Sequence, residues 1–249
     1  MKSAKPIVIG NWKMNPQSNT FAQKIFKDIR KKCTKNSVDV VVCPPYPFLS
    51  LFTQSKKPFL GAQNISHKKE GALTGEVSIS MLKSLGVSFV IVGHSERRET
   101  GETSDIVAQK ARLCLDASIT PIICIGEKVR DGSAEHWQEI KWQLVDSLQG
   151  INRVLIQKCI IAYEPVWAIG KSKAMSPEDV EESVLFIKKV LVEMFGPKAE
   201  SVRVLYGGSV DDSNALTLAG SLGLNGFLVG RSSLNASEFS CIVDAFVSK

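Results

Sequence analysis

A glutamate placed where a strand runs out is the first residue in this chain with the setting for chemistry. Glu164 follows the apolar run Cys159-Ile160-Ile161-Ala162 and opens the loop Pro165-Val166-Trp167-Ala168-Ile169-Gly170-Lys171; Ser176-Pro177-Glu178-Asp179 then gives a strong helix start. Pro165 fixes its own φ and drives Glu164 toward extended backbone, while Gly170 takes backbone angles that other residues avoid. The segment between them is apolar for a loop expected at the surface, and closure over a bound molecule accounts for that. Together these features read as a hinged lid with a base at its root. A lone glutamate is more often simply solvated, so the reading gains its weight from what else gathers at strand ends.

Lys13 directly follows the first apolar run and stands beside Trp12. A lysine so placed points into the mouth that the strands build and pairs there with an anionic substrate. Of the three histidines, His67 lies in a polar loop with Lys68 and Lys69, and His136 sits next to Glu135 on an expected exposed helix, so both read as bystanders. His94 ends the run Phe89-Val90-Ile91-Val92-Gly93 and precedes a charged segment, which makes it the expected polar catalyst. Gly207-Gly208-Ser209 and Gly230-Arg231-Ser232 follow the last two apolar runs, each ahead of a helix. Backbone amides at a helix start attract phosphate, and glycines let its oxygens come close. Glycines also simply make turns, so it is their place after the seventh and eighth runs that points to a phosphate site.

The elements that must position these groups recur regularly. Short apolar runs, Ile7–Ile9, Val38–Cys43, Phe59–Ala62, Phe89–Val92, Pro121–Ile125, Cys159–Tyr163, Val202–Tyr206 and Gly226–Val229, are separated by amphipathic stretches such as Ser104–Ala117, Ala134–Leu148 and Pro177–Phe195. Near-continuous apolar runs are the mark of strands buried on both faces. About eight strand-helix units in a chain of 249 residues is the arithmetic of a closed (β/α)8 barrel in a single α/β domain, 1–249. A doubly wound open sheet is the alternative; it would more often carry Gly-x-Gly-x-x-Gly after the first strand, where this chain has Gly10-Asn11-Trp12-Lys13.

The formal charge of +6 is spread among acidic residues, and basic clusters such as Arg30-Lys31-Lys32 lack interleaved aromatics, so no nucleic-acid partner is expected. A mildly basic surface does help gather small anions. The six cysteines form no Cys-x-x-Cys or Cys/His pair, and several lie inside apolar runs. A reduced, cytoplasmic protein without a structural metal is the simplest account. The apolar part of Met1–Gly10 is too short for a signal peptide, and no segment is long and apolar enough to span a bilayer.

With these residues assembled, the chain resembles the triosephosphate isomerase family nearly from end to end. The match runs through Asn11-Trp12-Lys13-Met14-Asn15, Gly93-His94-Ser95-Glu96-Arg97-Arg98, Cys124-Ile125-Gly126-Glu127, Tyr163-Glu164-Pro165-Val166-Trp167-Ala168-Ile169-Gly170 and Tyr206-Gly207-Gly208-Ser209-Val210. The resemblance implies a TIM barrel that interconverts dihydroxyacetone phosphate and glyceraldehyde 3-phosphate with no metal and no organic cofactor. It implies Glu164 as the base, His94 as the electrophile, Lys13 with Asn11 holding the anionic substrate, and Glu96 as a partner of Lys13. Gly170, Ser209, Gly230 and Arg231 match positions that bind the phosphate. The long segment 63–76, with Glu70-Gly71-Ala72-Leu73-Thr74-Gly75-Glu76, resembles the family's interdigitating loop and implies a homodimer.

The chain departs from that family at several places. Gly230-Arg231 stands where two glycines are common, Leu73 replaces a phenylalanine, and Lys171-Ser172-Lys173-Ala174-Met175 replaces Thr-Gly-Lys-Thr-Ala. Two other readings stay open at this point: a barrel aldolase in which Lys13 forms a Schiff base, and a catalytically silent barrel that binds phosphate or a partner.

Overall fold

Alternation along the strands sorts the buried side chains into two cores. Ile7 and Ile9, Val41 and Cys43, Ile91, Ile122 and Cys124, Ile160 and Ala162, Leu205 and Leu228 point one way and fill the inside of a cylinder. Val8, Val40 and Val42, Val90 and Val92, Ile123 and Ile125, Ile161 and Tyr163, Val204 and Tyr206 point the other way, against the helices. A strand with apolar residues on both faces therefore has a reason to lie between two hydrophobic layers.

The computed structural model describes residues 4–33, 35–53, 55–131, 134–169 and 175–247. Its strands are β1 (Ile7–Asn11), β2 (Asp39–Cys43), β3 (Phe59–Ala62), β4 (Phe89–Val92), β5 (Thr120–Ile125), β6 (Ile160–Tyr163), β7 (Arg203–Tyr206) and β8 (Gly226–Val229). All pair in parallel in chain order, and β1 closes on β8 with Ile7 opposite Gly226 and Gly10 opposite Val229. The helices are α1 (Asn19–Lys32), α2 (Tyr46–Leu49), α3 (Ile79–Ser84), α4 (Ser95–Glu99), α5 (Ser104–Asp116), α6 (Glu135–Ser147), α7 (Pro177–Phe195), α8 (Ala215–Ala219) and α9 (Ala236–Asp244). The expected closed (β/α)8 barrel is the observed fold. No helix among the described residues is long and apolar enough to cross a membrane.

Local chemistry sets the ends of the longer helices. Ser176 accepts from the Asp179 N–H and Pro177 occupies the first turn of α7, while Gly196 ends it at φ 83°. Ser18 and Thr103 cap α1 and α5 in the same way. Two expectations differ from what is observed. β1 runs on past Ile9 to Asn11, because Asn11 still pairs in register with Cys43. His136 is buried rather than exposed: its ring packs 4.4 Å from that of Trp137, which in turn packs on Phe186 of α7.

Candidate active site

Glu164 stands one residue beyond β6 and is only 2% exposed. Two glycines make room for it. A Cβ on Gly126 would collide with the Glu164 backbone carbonyl, and one on Gly207 would come within 2.9 Å of the Glu164 Cγ. The carboxylate is thus held between the ends of β5 and β7, and its direction is set from the side. The Ser95 N–H donates to its Oε2 at 3.1 Å, and its Oε1 lies 3.3 Å from His94 Nε2.

His94 comes from the end of β4 and serves as the N-cap of α4. Its Nδ1 accepts the Glu96 N–H at 3.3 Å. A ring nitrogen that accepts carries no proton, so this contact puts the ring proton on Nε2, the nitrogen facing Glu164. The same short turn presents Glu96, whose Oε1 accepts from Lys13 Nζ at 2.6 Å. Burial pushes the Glu96 carboxyl up, but the hydrogen bond and charge of Lys13, with a smaller part from His94, outweigh it and hold the group below its usual value.

Lys13 has a φ of 52°, in the left-handed region. Its backbone is fixed on both sides. The Lys13 N–H donates to Asn11 Oδ1 at 3.1 Å, and Gln63 Nε2 donates to the Lys13 and Cys43 carbonyls at 2.9 Å each. The first loop is therefore clamped to the ends of β2 and β3.

These groups open on one cavity of about 410 Å³, at the low end of the roughly 300–1,000 Å³ typical of small-molecule pockets. Asn11, Lys13, His94, Glu164, Ser209, Gly230 and Arg231 all line it. Glu96 does not, and reaches the cavity through Lys13. Gly170 lies outside the described residues, as do 171–174. No group of His, Cys, Asp and Glu among the described residues is arranged to hold a metal ion.

Several residues that work on this site were not singled out from sequence. Gln63 is one. Glu127, fully buried at the end of β5, accepts at Oε1 from the Tyr163 hydroxyl at 3.0 Å and from Trp167 Nε1 at 2.7 Å. Burial first, and then the Glu127 charge, push the Tyr163 phenol far up, so it stays a donor. The Ser209 hydroxyl donates to the Ala168 carbonyl at 3.1 Å, and Tyr206 accepts the Met175 N–H at 3.4 Å. Arg98 braces the whole turn: its guanidinium donates to the Gly93 and Cys124 carbonyls and to Ser104 and Ser147. A polar residue directly after an apolar run was the available signal for both Glu127 and Gln63.

A closed parallel barrel with ionisable groups from several strands gathered at their carboxyl ends has the plan of the (β/α)8-barrel enzymes. The family model described as triosephosphate isomerase matches residues 6–246. A triosephosphate isomerase of Alkaliphilus oremlandii (strain OhILAs) is 39% identical over 249 residues, covering 96% of this chain and 99% of that one. One of Shewanella sp. (strain MR-4) is 42% identical over 251 residues and one of Shewanella denitrificans 41%, each covering 96% of both chains. This chain belongs to the triosephosphate isomerase family, a family of isomerases.

Proposed function

We propose that the chain interconverts dihydroxyacetone phosphate and D-glyceraldehyde 3-phosphate by proton transfer through an enediolate. The observation that carries this reading is the approach of Glu164 Oε1 to His94 Nε2, 3.3 Å apart in one cavity with Lys13 on its wall. A substrate entering this cavity parts that contact and loses a carbon-bound proton to Glu164 while the adjacent oxygen gains negative charge. The Nε2–H of His94 and the Lys13 ammonium stabilise that charge. Glu164 then returns the proton to the neighbouring carbon, the hydroxyl proton passes to the former carbonyl oxygen, and hydroxyl and carbonyl exchange places with no net oxidation of the molecule.

Asn11 accepts from the Lys13 backbone N–H, and Glu96 pairs with the Lys13 side chain. The 2.6 Å ion pair supports that charge-bearing role over a Schiff-base nucleophile. Ser209, Gly230 and Arg231, together with Gly170, hold the phosphate. Val166, Trp167 and Ala168 form the root of a lid. Its contacts to Glu127 and Ser209 support closure over the substrate, which keeps water away from the enediolate.

The reading extends to one barrel domain over 1–249 acting as a homodimer in the cytoplasm. Residues 68–76 are exposed and Met14 is 86% exposed beside Lys13, which supports a partner covering this side; a monomer in sedimentation at micromolar concentration would remove that part. The six cysteines are all free, as a reducing compartment would keep them. A coupled isomerase assay of the wild type beside Glu164→Gln tests the chemistry. Loss of the base should cost about 10²- to 10⁴-fold in kcat, and a smaller loss overturns the assignment.

A further inference from the structure

Two cationic residues line the cavity, and they are held differently. Lys13 is paired with Glu96 at 2.6 Å, so its charge is already met by one carboxylate. Arg231, the first residue of the short turn Arg231–Leu234 after β8, is exposed and its side chain makes no ion pair or hydrogen bond among the described residues. The acidic residue on the same wall does not neutralise it. Asp211 Oδ1 accepts from the Ser213 N–H, the Ser213 hydroxyl and the Asn214 N–H, and is committed to its own turn. The loop also lies close to the reacting groups, since a Cβ on Gly230 would stand 3.7 Å from Lys13 Cε.

We propose that the Arg231 guanidinium is an additional binding and specificity residue, which adds a charge-assisted grip on the phosphate dianion to the backbone contacts of the glycine loops. The inference rests on the reading of this cavity as a triose phosphate site. A guanidinium presents several N–H donors in a planar fork that matches phosphate oxygens, and an unpaired one gives up no existing partner when the anion arrives. It is solvent-exposed, so its contribution is modest and falls with salt. It favours phosphorylated over uncharged substrates, because only the former carry the dianion.

The test compares wild type with Arg231→Gln, Arg231→Lys and Arg231→Gly. Binding of inorganic phosphate is measured by calorimetry at low and at high salt, with thermal unfolding as the check on folding. Removing the charge in the Gln and Gly variants should weaken phosphate binding by roughly 2- to 5-fold at low salt, with the gap closing at high salt, while Lys retains part of the affinity. In parallel, the ratio of kcat/KM for triose phosphate to that for unphosphorylated glyceraldehyde should fall by a similar factor. Phosphate binding to Arg231→Gln that equals the wild type at low salt overturns the proposal. So does weakening confined to Arg231→Gly, because loop geometry and not charge would then be responsible. A wild type that binds phosphate through Arg231 yet turns over no triose phosphate sinks the isomerase reading instead, and leaves the anion contact standing.

Discussion

The glutamate at the end of β6 has almost no freedom, because the walls around it are backbone. Gly207 faces its Cγ and Gly126 its carbonyl, so neither position tolerates a side chain without moving the carboxylate. Gly207→Ala should leave the barrel folded but cut kcat by about 10²-fold, the scale of loss for roughly 1 Å of misplacement at a reacting group; steady-state kinetics beside circular dichroism check this, and an unaltered kcat would show that the carboxylate has slack. The three residues proposed to react were legible in the sequence as neighbours of one cavity, since Lys13, His94 and Glu164 each stand close behind an apolar run. Their supports were not. Gln63 meets Lys13 across fifty positions and Trp167 meets Glu127 across forty, and no local pattern announces such a pairing.

At the scale of elements, the root of the proposed lid is fastened to the barrel by named bonds. The Trp167 indole N–H and the Tyr163 hydroxyl converge on one oxygen of Glu127, whose other oxygen has no partner among the described residues. Trp167→Phe keeps most of the ring packing but deletes one of those donors. A carboxylate buried with less compensation is costly, so the turn Val166–Ala168 should loosen and kcat/KM should fall by roughly 10-fold, the factor that about 1.4 kcal/mol represents. Kinetics with triose phosphate as the varied substrate read this directly, and an unchanged kcat/KM would detach the lid from Glu127. Element boundaries were partly readable. α7 has the expected bounds because Ser176 and Pro177 start it and Gly196 stops it, all local signals. β1 extends beyond its apolar run because cross-strand pairing with Cys43 carries Asn11 into the sheet.

For the whole molecule, eight strand-helix units were visible in the sequence, but closure was not. It rests on β1 meeting β8, a pairing between the two ends of the chain. The closed barrel also buries five of the six thiols. Burial pushes Cys33 and Cys159 up to about 12, and raises Cys43, Cys114 and Cys124 as well. In the unfolded chain these thiols ionise from about pH 8.5. Above that pH the unfolded state therefore holds fewer protons than the native one, and stability falls as pH rises, by up to about 1.4 kcal/mol per pH unit for each thiol. Urea unfolding under reducing conditions at pH 8 and pH 10 measures the decline; equal midpoints would contradict the buried thiols. The left-handed backbone at Lys13 has a different cost. A side chain there is strained by roughly 1–2 kcal/mol, so Lys13→Gly should melt above Lys13→Ala, and equal melting points would deny the strain. On the proposed function, that strain is what it costs to hold a cation at the mouth of the barrel, and a search for heat resistance alone would trade the cation away.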